Sequence, residues 1–281
     1  MMLIADSGSS KTDWHLCGPD TDFSWQTGGM HPYFCDRQGV SRELKESWPE
    51  GERMESVAQV FFYGSGCLKP KGADIVRRFL CEQFRNDVFV YSDLEGAAIS
   101  TLGNRPGIAA ILGTGSSAAF WDGKNLSRVS LSLGYLIGDE GSGSDIGKHL
   151  LREIMHREVE EELRSRFFKR YPSSPTDIIS RLYSHPEPAS YLASYAHFLS
   201  QNLSHPYCIQ LLQNRFSAFI HRHLIPLQNE GICAVGFNGS IAFAFQVVLK
   251  PVLNQAGFSD ITILKSPIDA LVQHHKNEKG W

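Results

Sequence analysis

The pattern that most restricts what this chain can fold into is a strand, a glycine–serine loop and a second strand, and it occurs twice. Met2–Ala5 runs through Asp6 into a loop, Ser7-Gly8-Ser9-Ser10-Lys11-Thr12, and on to an alternating segment, Asp13–Cys17. Ile108–Leu112 runs through Gly113-Thr114-Gly115-Ser116-Ser117 into Ala118–Trp121, which turns at Asp122-Gly123, a good hairpin dipeptide. Each loop mimics a better-known nucleotide motif and fails its context. Lys11-Thr12 ends like a P-loop, but Ser10 precedes the lysine and Ala5 stands where the first glycine belongs. Gly113–Ala118 matches the dinucleotide fingerprint by letter, yet a strand follows where that fingerprint must open a helix. What remains is a hairpin loop that can bind phosphate through backbone N–H groups and the Ser9, Ser10 and Thr12 hydroxyls, with Asp6 facing the accompanying metal. A plain Gly/Ser turn is the alternative.

Between and after the loops, strand and helix alternate as in an α/β layer structure. Val57–Tyr63 is a strongly apolar strand stopping at Gly64-Ser65-Gly66, Ala73–Phe84 has helical spacing, and Val88–Tyr91 is a buried strand ending at Ser92-Asp93. Glu95–Leu102 follows as a helix. In the second half, Asp145 to about Tyr171 predicts one long amphipathic helix. The Pro- and Ser-richer stretch Pro172–Pro188 joins helices, and Ala189–Leu203 and Cys208–Leu227 are helical. Cys233–Gly236 is a strand, Ile241–Leu249 starts a helix that Pro251 should kink or end, Ile261–Leu264 is a last strand, and Ile268–His275 is a closing helix. The shared opening of the halves hints at two related lobes.

Two further elements carry chemistry. Asp93 lies just past the carboxyl end of a buried strand, where open α/β sheets place ligands; the competing role is an N-cap for the following helix. Gly138-Asp139-Glu140-Gly141-Ser142-Gly143-Ser144 puts backbone donors and two carboxylates at the start of a long helix.

The four elements together resemble the BadF/BadG/BcrA/BcrD-type ATPase family, and within it the N-acetylglucosamine kinases of the actin/hexokinase/Hsp70 superfamily. The matching stretches are LIADSGSSKTDW (3–14), YSDLEGAAIS (91–100), ILGTGSSAAFWDG (111–123), LGYLIGDEGSGSDIG (133–147) and AVGFNGSIA (234–242). The resemblance implies an α/β fold of two ribonuclease-H-like (actin-like ATPase) lobes, with ATP and substrate in the cleft between them. The first lobe would span 1–104, with a C-terminal helix at about 267–281 packing back on it. The second would span 105–266, with a helical insertion at about 172–206.

The resemblance also assigns roles. Asp6 would hold Mg²⁺, and Gly8, Ser9, Ser10, Lys11 and Thr12 would form the first phosphate loop. Gly113, Thr114 and Gly115 would form the second, with Gly239 and Ser240 against the adenosine. Asp93 would be the catalytic base. Ser116, Ser117, Gly134 and Asp139 would bind the sugar, with His31 where the family usually carries Asn. Ser117 stands in place of the animal enzyme's Asn and Leu133 in place of its Trp, so the sugar face keeps apolar contact but loses aromatic stacking. The implied reaction is ATP-dependent phosphorylation of an amino sugar, N-acetylglucosamine to its 6-phosphate.

Composition sets the class of partner. The 281 residues carry a net charge of −3, which offers no basic field to nucleic acid or an anionic membrane. No apolar run approaches the roughly 18 residues that span a bilayer, and the N-terminus lacks a secretory signal pattern. Six cysteines lie scattered with no CxxC pair, as in a reduced cytoplasmic protein. The expected partner is a small sugar, and any assembly a homodimer. The rival readings are an iron–sulfur ATPase that activates a dehydratase or reductase, a zinc-bearing glucokinase of the repressor type, and a non-catalytic sugar or nucleotide sensor. Cys67 and Cys81 lack glycine-rich cluster loops. His221-Arg222-His223 is a poor metal pair on a helix, while His274-His275 and the Glu158, Glu160–Glu162 run are expected to be solvated helix faces.

Overall fold

The computed structural model describes residues 1–8, 11–33, 36–228 and 231–280, and they divide into two compact units. The first unit holds 1–105, 123–126 and 266–281. Its strands are β1 (Met2–Ser7), β2 (Lys11–Cys17) and β3 (Asp22–Gly28), then β4 (Gln59–Gly64) and β5 (Asp87–Ser92). Helix α1 (Arg37–Glu46) follows β3, α2 (Pro70–Gln83) joins β4 to β5, and α3 (Asp93–Leu102) follows β5. The sheet order is β3-β2-β1-β4-β5; β1, β2 and β3 pair antiparallel and β1, β4 and β5 parallel.

Strand periodicity explains why this sheet is covered on both faces. Successive side chains point to opposite sides, so Leu3 and Ala5 of β1 and Val60 and Phe62 of β4 join one core with Val40, Val76 and Phe79. Met2 and Ile4, with Phe61 and Tyr63, join a second core on the other face. Both strands read as continuous apolar runs because neither face is left to water.

The second unit holds 106–122 and 127–265. Its strands are β6 (Gly107–Leu112), β7 (Ser116–Trp121), β8 (Leu126–Val129), β9 (Ala234–Asn238) and β10 (Asp260–Leu264). Their order is β10-β9-β6-β7-β8, with β6–β7 antiparallel and β6–β9 and β9–β10 parallel. Counted in chain order within its unit, this is the strand order of the first sheet. The fold is therefore a duplicated α/β arrangement, as the two matching openings led one to expect.

The helices of this unit are α4 (Gly134–Ile137), α5 (Gly143–His156), α6 (Glu161–Arg170), α7 (Pro175–Ser184), α8 (Pro188–Ser194), α9 (Ala196–Gln201), α10 (Pro206–Phe219), α11 (Ser240–Ala244) and α12 (Gln246–Gln255). Three expectations need correction here. The long helix from Asp145 breaks at Arg157, which adopts the left-handed conformation at φ 59° and ends α5. The helix expected over Ala189–Leu203 is likewise two, meeting at Tyr195. Pro251 sits inside α12, which runs on to Gln255; the break falls earlier, at Phe245. Beyond α10 the chain tightens into a π-helical turn, Ile220–Leu224, then a 3₁₀ turn, Ile225–Leu227.

The last helix, α13 (Ile268–Lys279), belongs to the first unit, where Leu271 and Val272 pack with Met2, Ile4 and Phe61. Its His275 is buried, against the expectation of a solvated surface. The ring stacks on Phe61 at 3.8 Å, and Nε2 lies 2.8 Å from the Tyr63 hydroxyl. Among the described residues, no helix is long and apolar enough to cross a membrane.

Candidate active site

In the first unit the parallel strands β1, β4 and β5 end on one edge of the sheet, and the candidate residues collect there. Asp6, on β1, pairs in register with Asp13 of β2 and Tyr63 of β4. Burial, and then the nearby charges of Asp13 and Asp93, push its carboxyl up to about 7, with Lys11 acting in the other direction. Lys11 is committed to Asp13, at 2.9 Å. Asp6 thus faces two further carboxylates, and among the described residues the cation acting on it, Lys11, is drawn to Asp13; a divalent metal takes such carboxylate oxygen readily.

The loop between β1 and β2 closes through the Gly8 N–H donating to the Lys11 carbonyl at 2.9 Å. Ser9 and Ser10 lie outside the described residues. Thr12, whose hydroxyl was expected to contact phosphate, has protein partners here. It lies on the Trp14 face of β2, fully buried, with its hydroxyl 2.8 Å from Ser7 Oγ and donating to the Gly28 carbonyl at 3.0 Å. Ser7 Oγ in turn accepts the Met30 N–H at 3.0 Å. Thr12 and Ser7 thus tie the Gly28–Met30 segment to the end of β1, and that tie sets where His31 sits. His31 Nε2 would lie 2.9 Å from a Cβ on Gly66, so the loop after β4 must be glycine for the imidazole to rest there. Burial lowers the His31 pKa, keeping the ring neutral.

Asp93 is the first residue of α3, yet it is not the cap. Ser92 caps the helix by accepting the Glu95 N–H at 3.2 Å, and Glu95 reaches back to the Ser92 N–H at 2.7 Å. This reciprocal capping box spares the Asp93 carboxylate that role, and it accepts the Leu94 N–H at 2.9 Å and its own backbone N–H. Burial pushes Asp93 up to about 6. Ser65 went unnoticed in the sequence. It follows β4, donates its N–H to the Ser7 carbonyl at 2.9 Å, and carries a buried hydroxyl with no hydrogen-bond partner among the described residues. The clue was its place in Gly64-Ser65-Gly66, where an apolar strand stops.

In the second unit the glycine loop after β6 is stitched to the start of α5. The Gly143 N–H donates to the Gly113 carbonyl at 2.8 Å and the Ser144 N–H to the Thr114 carbonyl at 3.1 Å. Gly239, at φ 125°, crosses so close behind the loop that a Cβ would lie 2.3 Å from the Leu112 carbonyl oxygen. Ser240 opens α11 beside it and is exposed. Asp139 lies across Gly115: a Cβ there would be 3.0 Å from Asp139 Oδ2. Burial raises the Asp139 pKa, opposed by the Ser116 backbone N–H that it accepts. The Ser116 hydroxyl is buried without a partner among the described residues. Gly113, Gly115, Ser116, Asp139 and Gly239 are therefore one cluster. Ser117 points to the other side of β7 from Ser116, as strand alternation requires, and no described contact joins it to Asp139. Gly134, at φ 72°, opens α4, and among the described residues a Cβ there would meet nothing within 4 Å; Leu133 beside it is exposed.

The chemistry disfavours an iron–sulfur role. Cys67 lies in the core, where burial pushes its thiol up to about 12, whereas cluster ligation needs thiolate. Cys81 is exposed on α2.

Comparison with known proteins bears on the fold and the family. No protein-family model matches the chain. A curated relative, the N-acetylmuramic acid/N-acetylglucosamine kinase of Clostridium acetobutylicum, is 27% identical over 150 residues; the match takes in 50% of this chain and 49% of the relative, about half its length. Two solved structures align over nearly the whole chain. A candidate N-acetylglucosamine kinase from Chromobacterium violaceum superposes with a TM-score of 0.72 at 16% identity, covering 97% of this chain and 98% of its own, a likeness of fold. A candidate N-acetylglucosamine kinase from Porphyromonas gingivalis superposes with a TM-score of 0.92 at 33% identity, covering 99% of this chain and 100% of its own. With that identity along its whole length and the duplicated sheets described above, the chain belongs to the N-acetylglucosamine kinase-like family of the actin-like ATPase fold.

Proposed function

We propose that this protein is an ATP-dependent kinase that phosphorylates a hydroxyl of an N-acetylated amino sugar, most simply N-acetylglucosamine at its 6-position. The observation that carries the proposal is Asp93. It stands at the carboxyl edge of the first sheet, relieved of capping by Ser92 and Glu95, with its pKa pushed up to about 6. A carboxylate so tuned is ionised near neutral pH and still basic enough to take a hydroxyl proton.

In the reaction, Asp93 accepts the proton of the sugar hydroxyl as its oxygen bonds to the γ-phosphorus. The bond from that phosphorus to the β–γ bridging oxygen breaks, and ADP leaves. Gly8 and Lys11, with Ser9 and Ser10, would form one phosphate-binding loop. Gly113, Thr114 and Gly115 would form another, with Gly239 and Ser240 against the adenosine. His31, Ser116, Ser117, Gly134 and Asp139 would orient the sugar. Thr12 braces the loop from beneath. Mg²⁺, which Asp6 would hold with Asp13 beside it, supplies positive charge that neutralises the phosphate oxygens. A cytoplasmic location and a homodimer accord with this reading.

The test is ADP release, coupled to NADH oxidation, with N-acetylglucosamine, glucosamine, N-acetylmannosamine, glucose and N-acetylmuramic acid. Sugar-dependent release with the N-acetylated sugars is expected. Release that no sugar stimulates would sink the kinase reading.

A further inference from the structure

We infer that Glu140, gripped by His223 and Arg222, is a positioning residue that holds the Asp139 carboxylate in its working orientation. The inference rests on the reading of Asp139 as a sugar ligand. Asp139 is a non-glycine residue at φ 56°, a sparsely populated conformation that persists where the surroundings impose it. The next residue supplies the imposition. Glu140 is buried, its Oε2 lies 2.9 Å from His223 Nε2, and Arg222 donates to its Oε1. His223 is buried as well, with Nδ1 3.2 Å from Ser130 Oγ. Burial alone would raise the Glu140 pKa, but the hydrogen bonds from His223 and Arg222 prevail and lower it. A buried carboxylate so paired resists displacement, because breaking the pair leaves an uncompensated charge inside.

Arg222 and His223 are consecutive residues, and both reach the one carboxylate of Glu140. They lie in the π-helical turn Ile220–Leu224; such turns recur at functional sites. One turn and a half earlier in the same helical segment, Arg215 Nε bonds Asp145 Oδ2 at 2.7 Å, and that oxygen also accepts the Gly141 N–H at 2.9 Å. The loop from Asp139 to Asp145 is thus anchored at both ends on one helix, while its far side donates to the Gly113 and Thr114 carbonyls. With φ of Asp139 held, its carboxylate meets the Ser116 N–H and lies over Gly115.

The experiment combines kinetics with structure. His223→Phe keeps a ring but removes the nitrogen, and His223→Gln restores an N–H near Nε2. The expected result is a sugar KM raised about 10- to 100-fold in His223→Phe, an ATP KM within twofold of wild type, and recovery of most of the loss in His223→Gln. A merely structural ion pair would lower the melting temperature and leave the sugar KM unchanged, and that result overturns the inference. Should His223→Phe fail to fold, Arg222→Gln, at a side chain 63% exposed, carries the same KM comparison. A crystal structure of the variant gives an arm that needs no turnover: Asp139 should leave the left-handed region and lose the Ser116 N–H, and an unmoved Asp139 overturns the inference. Wild-type protein without sugar-dependent ADP release would instead refute the kinase reading, and the crystallographic arm would still decide the positioning role.

Discussion

Gly239 passes so close to Leu112 that a Cβ on the glycine would lie 2.3 Å from the leucine carbonyl oxygen and 3.2 Å from the Gly113 nitrogen. This approach locks β9 against the glycine loop after β6, and the φ of 125° excludes a side chain on conformational grounds as well. Gly239→Ala should therefore destabilise the second unit by about 2–4 kcal/mol and weaken binding of a non-hydrolysable ATP analogue. Urea unfolding and calorimetric titration measure the two effects; a variant as stable as wild type would mean the close approach does not exist.

Asp93→Asn should lower kcat by about 10²–10⁴-fold and leave ATP affinity within a factor of two. Because the Asp93 pKa is pushed up to about 6 and the base must be ionised, wild-type kcat/KM should fall as pH drops through about 6. Stopped assays from pH 5 to 8 would show that limb, and its persistence in Asp93→Asn would assign it to another group.

Asp6 predicts how metal and pH are linked. Its folded-state pKa of about 7 lies above the ordinary carboxylate value of about 3.9. The stability it contributes is full below pH 3.9 and is lost as pH rises toward 7. A bound divalent cation favours the carboxylate and should return that stability. The rise in melting temperature caused by Mg²⁺ should be larger at pH 8 than at pH 5.5, and smaller in Asp6→Asn. An identical shift at both pH values would remove Asp6 from the metal site.

His275 has the opposite sign. Burial first, and then His274, lower its pKa to about 4, below the ordinary 6.5. Its contribution is complete above pH 6.5 and is lost as pH falls toward 4, by roughly 3–4 kcal/mol at most. His275→Phe can keep the stack on Phe61 and cannot take up a proton. Its urea midpoint should change less between pH 7 and 5 than that of wild type, and equal slopes would count against the buried neutral imidazole.

Ser116→Ala separates stability from function. The Ser116 hydroxyl is buried without a partner among the described residues, a state that costs about 1–3 kcal/mol. Its removal should leave the fold as stable as wild type or more so, while raising the KM for the sugar several-fold. Unchanged KM would show that the hydroxyl does not meet the substrate.

Much of this was legible in the chain. The strands β1, β4, β6 and β9 announce themselves as short apolar runs, and for β1 and β4 the reason is that cores lie on both faces. Both glycine–serine loops are followed by strands, which is what excludes a P-loop and a dinucleotide fold. Other features had no local signature. β3 is polar and largely exposed, and α1 has a weak apolar face, so neither has a pattern that survives alone. Whether Asp93 or Ser92 caps α3 turned on Glu95 reaching back to the serine, since both residues are good caps.

By itself, then, the sequence determined the alternating α/β order, the repeated loop and the carboxylates at strand ends, since each depends on periodicity or on residue type within a few positions. Only the tertiary structure decided which groups share an environment. It turned Thr12 inward as a brace, buried His275 against Phe61, and brought Arg222 and His223 together on Glu140. Those outcomes rest on contacts between residues far apart in the chain, 212 positions in the Tyr63–His275 pair. Burial and charge at such sites are set by what packs opposite, which no local stretch of chain records.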